Sequence, residues 1–560
     1  MDAAHGGRGR AVVAAAKRLG EARPSLLLLA TTLVALLVAT PILTVAVSLA
    51  QPWGPSLTHL ARTTLPGVLV NTLAIGLIVG SLAIVVGVGT AWLVARCSFP
   101  GAHTFQWLLV LPLAMPAYII AYAYADALAF AGPVQSALRA AFDWQRGDYW
   151  FPNVHSTGGA GFMLGLVLYP YVFLMARTAF SEQSGRAVDA ARALGQGPWQ
   201  IFWRVSLPLA RPAVVAGTAL VLMEALADFA TVHYFGVPTF TTAIYRTWFG
   251  MGDRVAATQL ATGLLVFVLA LAWLEAQSRG QRRFHGSSAG GAATAGYAIG
   301  GWRAVAAWLA CALPVSLGFA IPVVLLVDLQ IGGGDELLGS RFLGYASNSL
   351  VLATTASVLI VGVALLLGYA VRWSRSRLLR PLVRVATIGY AVPGTVVAVG
   401  ILVPLGWLDN TIDAWLRSLF GLSTGLLLSG TMVALLFAYL VRFLAVAHGA
   451  VEAGFAKIPS SLDEAARLLG VGPRQVVVRV HAPLLRRSLL IALLVVFVDV
   501  IKELPATLII RPFDFDTLAI RVYQLAADER LSEAATGSLA IVAVGLLPVL
   551  LVTRLTATRR

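Results

Sequence analysis

Two pairs of acidic residues interrupt otherwise apolar stretches of the chain. Glu224 and Asp228 lie in VLMEALADFATVHYFG, and Asp499 and Glu503 lie in VFVDVIKELPATLII. The four-residue spacing within each pair would place both carboxylates on one face of a helix. An ionisable group inside a membrane costs about 2.5–3.5 kcal/mol on insertion scales, so it usually marks a pathway or an ion pair. Two interpretations stay open: a lining that attracts cations, or structural pairing with Lys502 and nearby arginines.

A third apolar stretch carries phenolic oxygens at Tyr118, Tyr122 and Tyr124. Carboxylate and phenolic oxygens are hard donors that suit hard, highly charged cations. The alternative for these tyrosines is packing, or an aromatic belt at the membrane interface. The two cysteines and eight histidines form no motif with metal-ligand spacing, so we expect no tightly bound metal and no catalytic residues.

The elements that must position these groups are membrane-spanning helices. Of the 560 residues, 58% are hydrophobic and only 12% are charged, about half the charged fraction of a soluble domain. Backbone polar groups in lipid must be satisfied within their own segment, which favours helices, so we predict an all-α polytopic membrane protein. About twelve apolar segments reach spanning length, at 25–50, 68–94, 105–130, 159–180, 211–235, 258–276, 303–327, 347–373, 382–406, 424–447, 487–511 and 532–553.

The net charge of +15 reflects topology rather than nucleic-acid binding. Lys and Arg cluster in alternate connections between the apolar segments, as expected for loops retained in the cytoplasm. Residues 1–24 form a basic N-terminus, and 25–50 is longer than the apolar region of a signal peptide. We therefore predict an uncleaved first span with both chain termini in the cytoplasm.

The chain consists of two copies of one pattern. Asp189 aligns with Glu464 at an offset of 275, which holds without gaps over about sixty residues. An offset of 277 relates Pro116 to Pro393 further upstream. With an even number of spans in each copy, the repeats are parallel and related by an axis along the membrane normal. The predicted units are a first module (25–276), a Gly/Ala/Ser-rich linker (277–301) and a second module (302–555).

The most clearly repeated segment lies in a cytoplasmic connection of each module, at 186–210 and 461–485. An acid–Ala–Ala start favours a helix, and a Gly-x-Gly-Pro sequence then breaks it and lets proline begin a new one. Residues 199–205 are amphipathic, with an apolar side. Either a partner protein covers this side, or the helix lies on the lipid interface.

These segments resemble the EAA loop of binding-protein-dependent ABC importer permeases of the type I fold. The first copy has Asp in place of the first Glu, and the second has Ala482 where Leu is usual. In that family the loop is a coupling helix that docks on a cytoplasmic ATPase. The matching residues are Asp189, Ala190, Ala191, Gly195, Val205 and Pro208 in the first copy, and Glu464, Ala465, Ala466, Gly470, Val480 and Pro483 in the second.

The resemblance implies a transport subunit in the bacterial inner membrane that is not itself an enzyme. The chain has no GxxxxGK[ST] phosphate-binding loop. ATP and Mg²⁺ would therefore be bound by a homodimer of separate cytoplasmic ATPase subunits. An extracytoplasmic solute-binding protein would deliver the cargo. A secondary transporter is the main alternative, although it gives no reason for two such loops.

Within the superfamily, the chain resembles the ferric-iron permeases. The segments 112–128, 227–253 and 499–530 carry this resemblance. Permeases for thiamine, phosphonates, sulfate and polyamines share the architecture and remain alternatives. The repeat-related outward loops contain Arg246 and Arg521, which either contact the binding protein or cap local helices.

Overall fold

The computed structural model describes residues 5–183, 185–280, 297–334, 339–374 and 376–557. These residues are almost entirely helical. The two short strands among them, β1 (Cys97–Ser98) and β2 (Tyr297–Ala298), pair in parallel. Positions 281–296 of the predicted linker, and residues 1–4 of the basic N-terminus, lie outside the described residues.

The first half contains thirteen α-helices among its described residues. Short turns of 3₁₀-helix occupy Ser48–Ala50 and Leu111–Ala114, and π-helical turns occupy Phe202–Ser206 and Arg246–Gly250. The α-helices are α1 (His5–Val47), α2 (Pro55–Thr63), α3 (Leu65–Arg96), α4 (Ala102–Leu108), α5 (Ala117–Ala127), α6 (Pro133–Phe142), α7 (Thr157–Glu182), α8 (Gly185–Ala193), α9 (Pro198–Ile201), α10 (Leu207–Ala227), α11 (Ala230–Tyr234), α12 (Phe240–Tyr245) and α13 (Arg254–Gly280).

The second half repeats this order from α16 onwards, so that α16 corresponds to α3 and α25 to α13. A 3₁₀ turn occupies Ile388–Ala391, and π-helical turns occupy Ser316–Ala320 and Val477–His481. The α-helices are α14 (Gly301–Val315), α15 (Ile321–Ile331), α16 (Ser340–Trp373), α17 (Leu379–Ala386), α18 (Gly394–Phe420), α19 (Met432–Phe455), α20 (Ser460–Leu468), α21 (Pro473–Val476), α22 (Ala482–Ile501), α23 (Pro505–Ile510), α24 (Leu518–Ala527) and α25 (Leu531–Ala557).

Ten helices among the described residues are long and apolar enough to cross a membrane, which confirms the all-α polytopic class. The sequence predicts about twelve spans. The bent pair Ala102–Ala114 and Ala117–Ala127, whose two parts meet at 88°, brings the number among the described residues to eleven when it is counted as one span. The predicted span at 487–511 corresponds to α22, which is 20 residues long but carries Arg486, Arg487 and Asp499.

The straight helices predicted at 105–130 and 382–406 are broken at equivalent places. A 3₁₀ turn precedes Pro116 in the first module and Pro393 in the second, and a new α-helix starts directly after each proline. Proline fixes its own backbone and forces the residue before it into an extended conformation, so the preceding helix cannot run through. The two modules therefore share the positions at which these helices are broken.

The two modules interleave. Helix α1 packs against α17 and α18 of the second module, whereas α15 packs against α5 of the first. Two glycines permit close approaches between the modules. A Cβ atom on Gly400 would lie 2.5 Å from the carbonyl oxygen of Pro41, and one on Gly318 would lie 2.8 Å from that of Leu166. The centre of each module is the triplet α3, α7 and α10, or α16, α19 and α22.

Candidate functional site

The four acids of the apolar stretches surround one cavity between the two modules. The cavity volume is about 140 Å³. Helices α5, α7 and α10 contribute its wall from the first module, and α19, α22 and the start of α23 contribute from the second. Glu224, Asp228, Asp499 and Glu503 all line it. The duplication therefore brings together side chains that lie far apart in the sequence.

The second acid of each pair does not continue the helix of the first, contrary to the prediction of one helix face. Helix α10 ends at Ala227 and α22 ends at Ile501. Asp228 instead accepts hydrogen bonds from the backbone N–H groups of Thr231 and Val232, at 2.9 and 3.3 Å. Capping the free N–H groups of α11 holds the carboxylate at the helix start.

Glu503 repeats this arrangement at the start of α23. It accepts hydrogen bonds from the backbone N–H groups of Ala506 and Thr507, at 2.9 and 3.0 Å. The sequence contains a signal for this cap, because Pro505 follows at a first-turn position of the short helix. Asp228 and Glu503 thus have a structural role in addition to lining the cavity.

Two basic side chains enter the cavity from the second module. Lys502 Nζ lies 2.8 Å from Asp499 Oδ1, and Arg442 Nη1 lies 3.1 Å from Glu503 Oε1. In the second module, the acids therefore line the cavity and are also paired with basic side chains, so lining and pairing do not exclude each other. Pairing is what allows such charges to be buried, because an isolated charge in this setting would be strongly destabilising.

Phenolic oxygens line the same cavity, but only one comes from the predicted set. Tyr118 lines the wall. The hydroxyl of Tyr122 instead bonds Ser538, and that of Tyr124 donates to the carbonyl of Leu317 at 2.7 Å. Sequence reasoning missed Tyr171 and Tyr390, which also line the cavity. They lie on separate helices, and no spacing rule connects them to the acids.

Aromatic residues join the modules next to the cavity. Phe229, adjacent to Asp228, packs against His233 and against Tyr523 of the second module, with ring centroids 5.1 and 6.0 Å apart. The Tyr523 hydroxyl lies 2.9 Å from Nδ1 of His233. This cross-module contact lies beyond the end of α10 that is remote from the segment 186–210.

The segment 186–210 folds as predicted, with a helix, a glycine break and a new helix. Helix α8 ends in a reverse turn in which the N–H of Gln196 donates to the carbonyl of Ala191 at 3.1 Å. Gly195 has φ of 78° in that turn. Glycine adopts this left-handed conformation without the steric cost borne by other residues, which explains its place at the helix end. Pro198 then opens α9.

The segment 461–485 has the same geometry. The N–H of Val471 donates to the carbonyl of Ala466 at 3.0 Å, and Gly470 has φ of 69°. In both segments a π-helical turn precedes the proline of the motif, Pro208 or Pro483. Proline lacks an N–H and clashes with the carbonyl four residues earlier, and a widened turn relieves both problems.

Both segments expose apolar side chains at equivalent positions. Leu194 and Leu469 are each 80% exposed, whereas Trp203 and Val478 are 55% and 68% exposed. The acids Asp189 and Glu464, with Ala190 and Ala465, are exposed too, while Ala191 and Ala466 are buried. Phe202 anchors the first segment, because its ring packs 5.1 Å from that of Trp92. An exposed apolar patch held on a rigid turn is suited to contact with another surface.

A buried cluster of Asp463, Arg372 and His481 anchors the second segment. Asp463, at the start of α20, accepts a hydrogen bond from Nε of Arg372 at 2.6 Å and lies 2.6 Å from Nε2 of His481. The positions 275 residues earlier are Val188 and Ser206, which cannot form this cluster. In the first module, Arg192 instead stacks over the ring of Tyr297 at 4.5 Å, next to β2.

The two repeat-related arginines differ in their surroundings. Arg246 is exposed, directly after α12. Arg521 is partly buried within α24, with its guanidinium 5.6 Å from the ring of Tyr345. Arg246 is the more accessible of the two.

Comparison with known proteins gives a consistent family assignment. A sequence model of the family described as "Binding-protein-dependent transport system inner membrane component" matches residues 83–278 and 360–558. Over 500 residues, 88% of this chain and 90% of the relative, the chain is 24% identical to the Fe(3+)-transport system permease protein FbpB 2 of Haemophilus influenzae. Shorter matches include two further relatives.

The molybdenum transport system permease protein ModB of Escherichia coli is 28% identical over 190 residues, which cover 34% of this chain and 80% of the relative. The sulfate transport system permease protein CysW of Synechocystis is 28% identical over 169 residues, which cover 29% and 55% respectively. Each of these matches covers about one module.

Proposed function

The chain belongs to the family of binding-protein-dependent transport system inner membrane components, and from this premise we propose that it imports ferric iron. It is an ABC importer permease and an integral inner membrane protein. We propose what it transports, and that a separate ATPase and a binding protein act with it. A secondary transporter has no use for two repeated coupling loops, so we favour ATP-driven import.

The composition of the central cavity carries the proposal for the cargo. Four carboxylates line it against two basic side chains, and three phenolic oxygens accompany them. This excess of hard oxygen donors favours a hard, highly charged cation over an oxyanion. A match to an Fe(3+) permease over 88% of the chain supports the same choice, whereas the molybdenum and sulfate relatives each match about one module.

Uptake in a deletion strain tests the cargo. The strain would carry this chain with its genomic ATPase and binding protein, and would be supplied in turn with radiolabelled ferric iron, molybdate, sulfate, thiamine, phosphonate and polyamine. We expect ferric iron alone to accumulate, at least tenfold above the strain without the permease. Restored uptake of another solute without iron would overturn the cargo and leave the family assignment intact.

The exposed apolar patch on each coupling loop supports docking of a homodimer of ATPase subunits that bind ATP and Mg²⁺. The equivalent positions Leu194 and Leu469 would enter one ATPase subunit each. We expect Leu194→Asp combined with Leu469→Asp to abolish co-purification of the ATPase. Phe513→Asp is the matched control, because Phe513 is 91% exposed but lies after α23, outside both loops. Equal retention of the ATPase by both variants would contradict the docking site.

Docking of the ATPase on these loops would put both chain termini in the cytoplasm, on the basic side of the protein, as we propose. The opposite side would receive the extracytoplasmic binding protein, with Arg246 as the accessible candidate contact and Arg521 as the more buried one. We expect Arg246→Glu to weaken capture of the binding protein more than Arg521→Glu does. A stronger effect of Arg521→Glu would reverse this assignment.

A further inference from the structure

The charges around the cavity are divided unevenly between the modules. All four acids obey the repeat, but both cations belong to the second module. The residues 275 positions before Arg442 and Lys502 are Val167 and Ala227, which line the cavity as well. The duplication therefore preserved the negative charges and placed the positive charges on one side only.

The four acids therefore differ in the groups with which they interact. Asp499 and Glu503 each have a cation within 3.1 Å. Asp228 caps α11 with three hydrogen bonds, from two backbone N–H groups and the Thr231 hydroxyl. Among the described residues, Glu224 has no basic group at ion-pair distance. It lines the cavity together with Tyr390.

Three tyrosines also line the cavity. Tyr118 and Tyr171 belong to the first module and Tyr390 to the second. Tyr118 is only 6% exposed, it lines the cavity, and within the described part of the chain its hydroxyl has no hydrogen-bond partner. A buried hydroxyl without a partner is destabilising, and a ligand in the cavity would supply the missing partner.

We propose that the transported ion is a bare trivalent cation that contacts the cavity oxygens that are not held in ion pairs, namely those of Glu224, Asp228, Tyr118, Tyr171 and Tyr390. This inference rests on the proposed function. Arg442 and Lys502 keep Asp499 and Glu503 engaged in ion pairs. The cation is therefore coordinated by only some of the oxygens around the cavity. Incomplete coordination allows the ion to leave, which a transport path requires and a tight metal site would prevent.

Initial rates of ferric-iron uptake, normalised to the amount of co-purified ATPase, test the proposal. We expect Glu224→Gln to lower the rate at least tenfold and Tyr118→Phe to lower it severalfold. Tyr169→Phe is the matched control for Tyr118→Phe. The Tyr169 hydroxyl is also buried without a hydrogen-bond partner among the described residues, but it does not line the cavity.

The double variant Asp499→Asn with Lys502→Met removes the repeat-equivalent acid together with its cation. We expect its loss of rate to be at least threefold smaller than that of Glu224→Gln. Gallium(III), a trivalent ion that is not reduced, should compete with iron for the wild type and for the double variant, and much less for Glu224→Gln.

If the double variant loses as much uptake rate as Glu224→Gln or more, or if Glu224→Gln leaves uptake unchanged, the proposed contact site is wrong. An equal loss in Tyr169→Phe and Tyr118→Phe would also contradict it. Absence of iron uptake by the wild type is a different result, because it refutes the proposed cargo before any variant is compared.

Discussion

At the scale of single residues, Gly394 shows how the charge asymmetry shapes the backbone. Gly394 is the first residue of α18, beside the ion pair of Arg442 and Glu503. A Cβ atom there would lie 2.2 Å from Arg442 Nη1 and 3.0 Å from Glu503 Oε1. The repeat-equivalent residue, 277 positions earlier, is Ala117, and that module has no such arginine. Glycine therefore leaves room here for the ion pair, and its backbone conformation does not demand it.

Substitution of Gly394 by alanine should displace the arginine from its partner. We expect Gly394→Ala to destabilise the protein by about 1–3 kcal/mol, as overpacking of a filled site commonly does. The measurement is the thermal unfolding midpoint of the detergent-purified protein. Gly406→Ala in the same helix is the control. No heavy atom lies within 4 Å of its added Cβ, so this change should be neutral or slightly stabilising. Equal midpoints for the two variants would contradict the steric argument.

The sequence predicts the acids of the cavity well and the remaining side chains poorly. Spacing and duplication locate Glu224 and Asp499, because a charge in an apolar stretch is conspicuous. Tyr171 and Tyr390 are not conspicuous, because a tyrosine in a membrane helix usually packs or marks the interface. Only the packing of separate helices brings them to the acids. The end of α10 at Ala227 was likewise missed, although a cap at Asp228 carries a recognisable signal.

At the scale of elements, the coupling loops depend on glycines at their helix ends. We expect Gly195→Ala to weaken ATPase binding by about fivefold to tenfold, because a non-glycine residue in the left-handed region costs roughly 1–2 kcal/mol. The measurement is the affinity of purified ATPase for the permease in detergent. Gly197→Ala is the control, since φ there is −72° and no heavy atom lies near its added Cβ. Comparable losses in both variants would show that the turn conformation is not what matters.

The buried cluster behind the second loop gives a separate prediction. Asp463→Asn leaves Arg372 without its ionic partner, and removing one member of a buried pair typically costs about 3–5 kcal/mol. We expect a lower unfolding midpoint and loss of ATPase from the second loop. Val188→Ala, at the equivalent position of the first module, should have a smaller effect, since it removes no charge. A midpoint for Asp463→Asn equal to the wild type would show that the cluster contributes little.

Element boundaries divide into those that sequence signals fix and those that tertiary packing fixes. The glycine-proline break of each coupling loop was predicted, because both residue types act locally on the backbone. The breaks at Pro116 and Pro393 were not, since a proline within an apolar stretch is also compatible with a kinked span. The charged cluster of Arg372, Asp463 and His481 unites three separate elements, and periodicity within one element cannot reveal it.

At the scale of the whole molecule, interleaving makes each module part of the other's packing. Helix α1 packs on the second module and α15 on the first. We expect a chain cut within residues 281–296 to yield two fragments that co-purify when expressed together, because the interface and not the peptide bond holds them. An affinity tag on one fragment and detection of the other provide the measurement. Fragments that are each stable alone and do not associate would contradict the interleaved packing.

The duplication itself was readable from the sequence, and the family match to both halves agrees with it. The packing of α1 on the second module and of α15 on the first could not be predicted from the sequence. It depends on which apolar surface each helix meets, and twelve similar apolar segments offer too many possible pairings. Small residues such as Gly400 and Gly318 mark the contacts only after the fold is known.

Fusion of the two modules into one polypeptide fixes which loop carries the cluster around Asp463. Two identical ATPase subunits would therefore act on loops of different stiffness, because buried charges hold the second loop and aromatic stacking holds the first. A movement of the ATPase would be transmitted more directly through the second loop. We expect the transport cycle to have a leading and a trailing half, a polarity that a symmetric pair of identical permease subunits could not have.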